Sequence, residues 1–324
     1  MTYHILIPDN LDEAGLDLLR TVPDFRLTVG PLNREATLAA VPDADALIVR
    51  SSTKVDAAMI AAAPRLKAVA RAGVGVDNID LEAAAARGIV VMNAPDGNTV
   101  AAAELTLALM LALVRHISPA HQSLRDGRWD RKKFEGAELR GKVLGLVGLG
   151  RIGQAVAMRA QAFGMTTIGY DPKKGPEVFA RVNTTFVPLE ELFARSDIIS
   201  LHAPANASTR GMINAQTIAL MKDGVRIINT ARGVLIDDAA LAEALCSGKV
   251  AGAALDVYAE EPPPADHPLI GLPNVIATPH LGASTAEAQI AVSVQAAQEI
   301  RDFLLRGEVS NAVNGARKLQ PAGA

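Results

Sequence analysis

Residues 142–171, KVLGLVGLGRIGQAVAMRAQAFGMTTIGYD, decide how this chain is read. An apolar run from Val143 to Val147 gives way to Gly148, Gly150 and Gly153 in the pattern G-x-G-x-x-G. Apolar residues then recur at Ile152, Val156 and Ala160, a helical spacing. A second apolar run ends in Asp171, 18 positions beyond Gly153. Strand, glycine turn, helix, strand and carboxylate form the order a dinucleotide site requires. The glycines let backbone approach a pyrophosphate, the helix N-terminus meets its charge, and the carboxylate accepts ribose hydroxyls. A carboxylate at that point repels a 2′-phosphate, so the pattern favours NAD over NADP. Lys173 and Lys174, just beyond, read as solvated loop residues.

Outward from this stretch, short apolar runs alternate with helical ones. Downstream lie DIISLH (197–202), VRIINT (225–230), GAALDV (252–257) and NVIATPH (274–280). With the two runs of the opening stretch they make six strands of a doubly wound dinucleotide domain. Upstream, YHILIP (3–8), ADALIVR (44–50), LKAVAR (66–71) and GIVVMNA (88–94) predict a smaller parallel α/β unit. Asn98 or Thr99 is expected to cap a long apolar helix reaching about Arg115. Residues 284–307 read as one helix, with Ser284 and Glu287 as a capping box and Gly307 as its end. Ile290, Val294, Ala297 and Ile300 share one face of it. This helix is expected to return to the first unit. The predicted architecture is therefore α/β, with two doubly wound parallel-sheet domains. A Rossmann domain over 98–283 is inserted in a smaller flavodoxin-like substrate domain over 1–97 and 284–324. The end, GARKLQPAGA (315–324), reads as loose tail.

With 49% hydrophobic but only 3% aromatic residues, the core must be built from Ala, Leu, Val and Ile, which suits sheets covered by helices. A net charge of −3 gives no electrostatic reason to expect nucleic acid or an acidic membrane as partner. The single cysteine, Cys246, suits a reducing, cytoplasmic setting. The N-terminus shows no secretory pattern, and VAAAELTLALMLALV (100–114) is too short to span a membrane. No metal site is expected. The apolar helix at 99–115 and the loop WDRKKFEG (129–136), with the only tryptophan, predict a symmetric homodimer through the nucleotide domains.

Redox chemistry at a carbon bearing oxygen needs an acid–base group, a partner that tunes it, and a cation for an anionic substrate. Of six histidines, His280 ends a strand just before Gly282, where open α/β sheets bind ligands. His202 also ends a strand. Arg232 ends VRIINT after a turn of small residues, where a charge calls for an anion. Glu260 and Glu261 follow a third strand end. A carboxylate bonded to imidazole orients it and favours its protonated form.

The runs GLGRIG, NTARGVLID, ALDVYAEEPP and PHLGAST, in this order, resemble the D-2-hydroxyacid dehydrogenase family over about residues 3–314. IVRSSTKV (48–55), RAGVGVDNIDL (71–81), NAPDGNTVAAAEL (93–105) and WDRKKFEG are most similar to its phosphoglycerate-oxidising members. The resemblance implies NAD-dependent oxidation of D-3-phosphoglycerate, as in serine biosynthesis. Arg232 holds the carboxylate, His280 takes the hydroxyl proton and Glu261 holds His280, leaving Glu260 as a solvated neighbour. It implies further cofactor contacts from Arg151, Ile152, Ala203, Pro204 and Thr209. Thr230, Ala231, Asp256, Gly282 and Ala283 join them, with His280 at the nicotinamide. Val74 and Gly75 lie where substrate and nicotinamide meet; backbone N–H groups of this glycine turn can face an anion. The phosphate is expected at Arg50, Ser51 and Arg71, two of which end adjacent strands, with Arg131 and Lys132 in a loop reaching a neighbouring subunit. Longer members of the family carry C-terminal regulatory domains, so this chain resembles the short form. A glyoxylate or hydroxypyruvate reductase with the same three residues stays open, as does an NAD(H)-sensing corepressor-like interaction protein.

Overall fold

A computed structural model describes residues 2–315; most of the tail read at 315–324 lies outside the described residues. The chain forms two compact units. One takes the chain up to Asn98 and again from Ala283 onward, and the other is Thr99–Gly282.

The first unit carries a five-stranded parallel sheet of β1 (Tyr3–Ile7), β2 (Phe25–Val29), β3 (Ala46–Val49), β4 (Ala68–Arg71) and β5 (Val90–Asn93). Its order is β2-β1-β3-β4-β5, the flavodoxin-like winding. Side chains alternate between two helix-covered faces. Ile5, Ile48, Ala70 and Met92 pack with Val292, Ala296, Ile300 and Phe303 of the Ala286–Arg306 helix, while Leu6, Leu47, Val69 and Val91 pack with Met59 and Ile60. The sequence pointed to four strands here. The fifth, β2, is an edge strand whose FRLTV mixes half-buried and exposed residues with none fully buried, so it lacks the continuous apolar run of a central strand.

The second unit holds β6 (Val143–Val147), β7 (Thr166–Tyr170), β8 (Thr185–Phe186), β9 (Ile198–Leu201), β10 (Val225–Asn229), β11 (Val250–Leu255) and β12 (Val275–Ala277). All pair in parallel, in the order β12-β11-β10-β9-β6-β7-β8. Seven strands replace the six expected; β8 is two exposed residues at the edge and leaves no apolar signal. The winding reverses between β6 and β9, and the loops leaving these strands form the crevice where such sheets bind ligands.

Helix details differ from expectation in three places. The Thr99–Val114 helix has no side-chain cap: Asn98 Oδ1 and Thr99 Oγ1 are buried without a hydrogen-bond partner. Thr285 rather than Ser284 caps the last helix, accepting from the Ala288 N–H at 3.1 Å, so the expected capping box does not form. Its buried stripe runs through Ala288, Val292, Ala296 and Ile300, leaving Ile290 43% exposed. The apolar residues of the Thr99–Val114 helix are largely buried within its own unit, against Ile228, Ala254 and the Arg151–Ala162 helix. No single helix among the described residues is long and apolar enough to cross a membrane.

Candidate active site

β6 delivers the glycine turn. Gly148 has φ +96, and a Cβ on it would lie 2.6 Å from the His202 carbonyl oxygen, so only glycine fits. The Arg151–Ala162 helix starts at Gly150 with no side-chain cap, leaving its first N–H groups to a ligand, and the space above Gly150 is open. Asp171, just past β7, accepts from the Leu149 N–H and the Lys173 N–H, each at 2.9 Å, which fixes its carboxylate against the turn. Past β9, Thr209 Oγ1 donates to the Pro204 carbonyl at 2.6 Å and closes the loop that holds Ala203. Burial lowers the His202 imidazole to about 4, so it is neutral here, paired with Ser200 Oγ at 2.9 Å. An uncapped helix start, a glycine turn open to backbone approach and an anchored carboxylate fit NAD.

The acid–base pair lies on the same edge of this sheet. His280 follows β12 with φ 55, a left-handed conformation costly for a residue with a Cβ. Asp256, wholly buried after β11, holds the segment on both sides of it. Its carboxylate accepts from Thr278 Oγ1 (2.6 Å), the Leu281 N–H (2.7 Å) and the Gly282 N–H (2.9 Å). The loop after β11 brings Glu261 to His280, with Oε2 2.7 Å from Nδ1, while Oε1 accepts from the Tyr258 N–H at 3.1 Å. Burial pushes the Glu261 carboxyl up. The hydrogen bonds from His280 and Tyr258, with the charges of His280 and Arg232, outweigh it and hold the group below the usual carboxylate range. An ionised Glu261 requires the proton on His280 Nδ1 and leaves Nε2 with a lone pair.

Arg232 sits past β10 on a turn tied by its own strand. Asn229 Oδ1 accepts from the Ala231 N–H at 3.0 Å, and Asn229 Nδ2 donates to the Arg232 carbonyl at 2.9 Å. Thr230 Oγ1 meets Thr106 Oγ1 at 2.8 Å. Gly233 packs on the backbone of Tyr258 and Ala259, which joins the arginine turn to the Glu261 loop. Arg232, Glu261 and His280 are thus gathered at one sheet edge, and Glu260 is exposed.

In the first unit, Arg50 follows β3 and Arg71 ends β4, neighbouring strands in register. Their loops rest on residues the sequence did not single out. Asp9, buried after β1, accepts from the Arg50 N–H (2.5 Å), the Thr53 N–H (3.3 Å) and Thr53 Oγ1 (2.8 Å). Asn78 Nδ2 donates to the Arg50 and Thr53 carbonyls, each at 2.7 Å. The signal for Asp9 was its place, an acid at the carboxyl end of a strand. Ser51 is exposed, and Arg131 and Lys132 lie exposed on a 3₁₀ turn, Arg131–Phe134. Among the described residues no group of three or more His, Cys, Asp or Glu is placed to hold a metal.

Residues 107–282 match the family described as D-isomer specific 2-hydroxyacid dehydrogenase, NAD binding domain. The chain belongs to this family, and Thr99–Gly282 carries its NAD-binding domain. Among relatives it is similar to the D-3-phosphoglycerate dehydrogenases of Methanocaldococcus jannaschii, at 51% identity over 312 residues, and Rattus norvegicus, at 49% over 310. Each match covers 96% of this chain, which spans 59% and 58% of those longer proteins. Two solved structures are similar over 96% of the chain. They are the TT0316 protein of Thermus thermophilus (TM-score 0.86, 39% identity, 99% of that chain) and a glyoxylate reductase of Paecilomyes thermophila (TM-score 0.89, 34% identity, 98% of that chain).

Proposed function

We propose that this chain oxidises D-3-phosphoglycerate at C2 with NAD, yielding 3-phosphohydroxypyruvate, NADH and a proton, as in serine biosynthesis. The observation that carries the reaction type is the 2.7 Å bond between His280 Nδ1 and Glu261 Oε2, beside Arg232 at the edge that also bears the glycine turn. NAD, when bound, accepts the hydride from C2. Arg232 binds the carboxylate and polarises the C2 oxygen with a fork a lysine lacks. His280 Nε2 takes the hydroxyl proton, and Glu261 stabilises the imidazolium that results. Gly148, Gly150, Arg151, Ile152 and Gly153 hold the pyrophosphate, and Asp171 the adenosine ribose. Ala203, Pro204, Thr209, Thr230 and Ala231 line the rest of the cofactor, with Val74, Asp256, Gly282 and Ala283 toward the nicotinamide.

The phosphorylated substrate is supported by relatives of that name at about half identity, and by Arg50 and Arg71 on adjacent strand ends. A phosphate brings nearly two charges and several acceptor oxygens, which suits arginines at neighbouring strand ends. Ser51 would add a neutral contact to the phosphate and Arg131 and Lys132 further charge from a second subunit, while Val74 and Gly75 would meet the substrate at its reacting end. A substrate panel followed by NADH absorbance tests this. D-3-phosphoglycerate should be used far better than D-glycerate; preference for glyoxylate or hydroxypyruvate in reverse would transfer the chain to the reductases. A homodimer is supported by Ile117, Leu124 and Trp129, which are 55%, 59% and 77% exposed around the loop after the Thr99–Val114 helix. Sedimentation at micromolar concentration should give twice the chain mass. The free, exposed thiol of Cys246 suits a cytoplasmic setting.

A further inference from the structure

We propose that Asn93 is a positioning residue for the substrate carboxylate, acting by turning two backbone N–H groups, those of Val74 and Gly75, to one side. This rests on the reading of the chain as a 2-hydroxyacid dehydrogenase. Arg71 and Asn93 end β4 and β5 as register partners. Beyond Arg71 the chain turns through Gly73 at φ +148, a region closed to most side chains, and the Arg71 guanidinium lies where a Cβ on Gly73 would sit.

The end of β5 grips this turn through its carbonyls. The Ala94 N–H donates to the Arg71 oxygen at 3.2 Å and to the Gly73 oxygen at 3.0 Å. Asn93 Nδ2 donates to the Val74 oxygen at 2.6 Å, and Asn93 is only 8% exposed, so water competes poorly for that carbonyl. The Gly73–Val74 and Val74–Gly75 bonds are both trans. In a trans peptide the C=O and the N–H point in opposite directions. With the Gly73 and Val74 oxygens both drawn to β5, the N–H groups of Val74 and Gly75 both point away from it. Extended chain would alternate them. Two consecutive N–H groups on one side make an anion-binding concavity. Without the Asn93 amide, the Val74 carbonyl is free to turn toward water, and that peptide carries the Gly75 N–H round with it.

The test compares wild type with Asn93→Ala, which leaves space rather than a clash, and Asn93→Gln, which keeps an amide donor. In Asn93→Ala the KM for D-3-phosphoglycerate should rise about ten- to a hundred-fold, the loss of a charge-assisted contact. The KM for NAD and the Tm should stay near wild type, and Asn93→Gln should recover part of the loss. Inhibition by glycerol 3-phosphate, which has the phosphate but no carboxylate, should change less than about twofold. Calorimetric binding of D-3-phosphoglycerate with NADH present reads the same ratio without turnover. An unchanged KM and affinity in Asn93→Ala, or an equal loss for substrate and glycerol 3-phosphate, overturns the assignment. Wild type that binds D-3-phosphoglycerate but does not oxidise it overturns the functional reading instead, and the calorimetric ratio still decides Asn93.

Discussion

Replacing Glu261 with Gln should damage the enzyme more than replacing it with Ala. The wild-type carboxylate accepts on both oxygens, from the Tyr258 N–H and from His280 Nδ1. In Glu261→Gln the amide oxygen keeps the Tyr258 contact, so the NH₂ group faces Nδ1. Nδ1 must then accept, which moves the ring proton to Nε2 and removes the lone pair that takes the substrate proton. A wrong-tautomer change of this kind costs on the order of 10⁴ in turnover in serine proteases, and general-base loss about 10² to 10⁴. Glu261→Ala leaves the ring free to choose its tautomer, so it should lose only the stabilisation of imidazolium. The pair is partly exposed, 49% for the His280 side chain and 37% for Glu261, so solvent screening reduces that to about 1–1.5 kcal/mol, or roughly ten-fold. The sign is set by the depressed carboxyl. Glu261 stays ionised down through the ordinary carboxylate range, and its contribution is lost only as pH falls through its lowered folded value. The acid limb of kcat/KM in Glu261→Ala should therefore move to lower pH. Steady-state rates over pH 5–9 measure both effects. A Gln variant as active as the Ala variant would refute the tautomer assignment.

Asp171→Ala should weaken NAD binding and relax discrimination against NADP, measured as the ratio of the two kcat/KM values; wild type that prefers NADP would contradict the assignment. Arg50→Ala should raise KM about ten- to a hundred-fold for D-3-phosphoglycerate and far less for D-glycerate. Gly73→Ala puts a Cβ on the Arg71 guanidinium at a backbone φ of +148, and should cost roughly 1–3 kcal/mol by denaturant unfolding along with substrate affinity. Burial raises the Glu299 carboxyl to about 7, against hydrogen bonds from Asn311 and Gln295. The folded state then holds a proton that the unfolded state releases near 4.5, so stability falls as pH rises from there to 7. Melting curves of Glu299→Gln should lack that slope.

What was legible in the sequence was whatever a residue does through its immediate neighbours. β6 and the helix after it declare themselves by period and glycine spacing, and Arg232 and His280 by their places at strand ends, whereas Glu261 was told from Glu260 only by the family resemblance. Edge strands were not legible: β2 has no fully buried residue and β8 is only two exposed residues, so neither needs an apolar run. Helix starts failed for another reason. Ser284 and Thr285 are chemically equivalent caps, and only the packing that buries Val292 and Ala296 selects between them. The supports of the first unit were hidden because their partners are distant along the chain. Asp9 meets Arg50 and Thr53 more than forty residues away, and no local pattern encodes that pairing.

The split of the first unit into two chain segments has a consequence for how the protein is made. Its β-strands leave the ribosome ahead of the second unit, yet the helix that covers Ile5, Ile48 and Met92 is translated only after that unit. The whole second unit, an uninterrupted stretch, emerges in between. At about 5–20 residues per second the wait is roughly ten to forty seconds. Through that interval a parallel sheet stands with one apolar face uncovered, while its neighbour can already complete its own core. Nascent chains stalled just before Ala286 should therefore bind hydrophobic-segment chaperones through residues 1–98, and release them once Arg306 has cleared the exit tunnel.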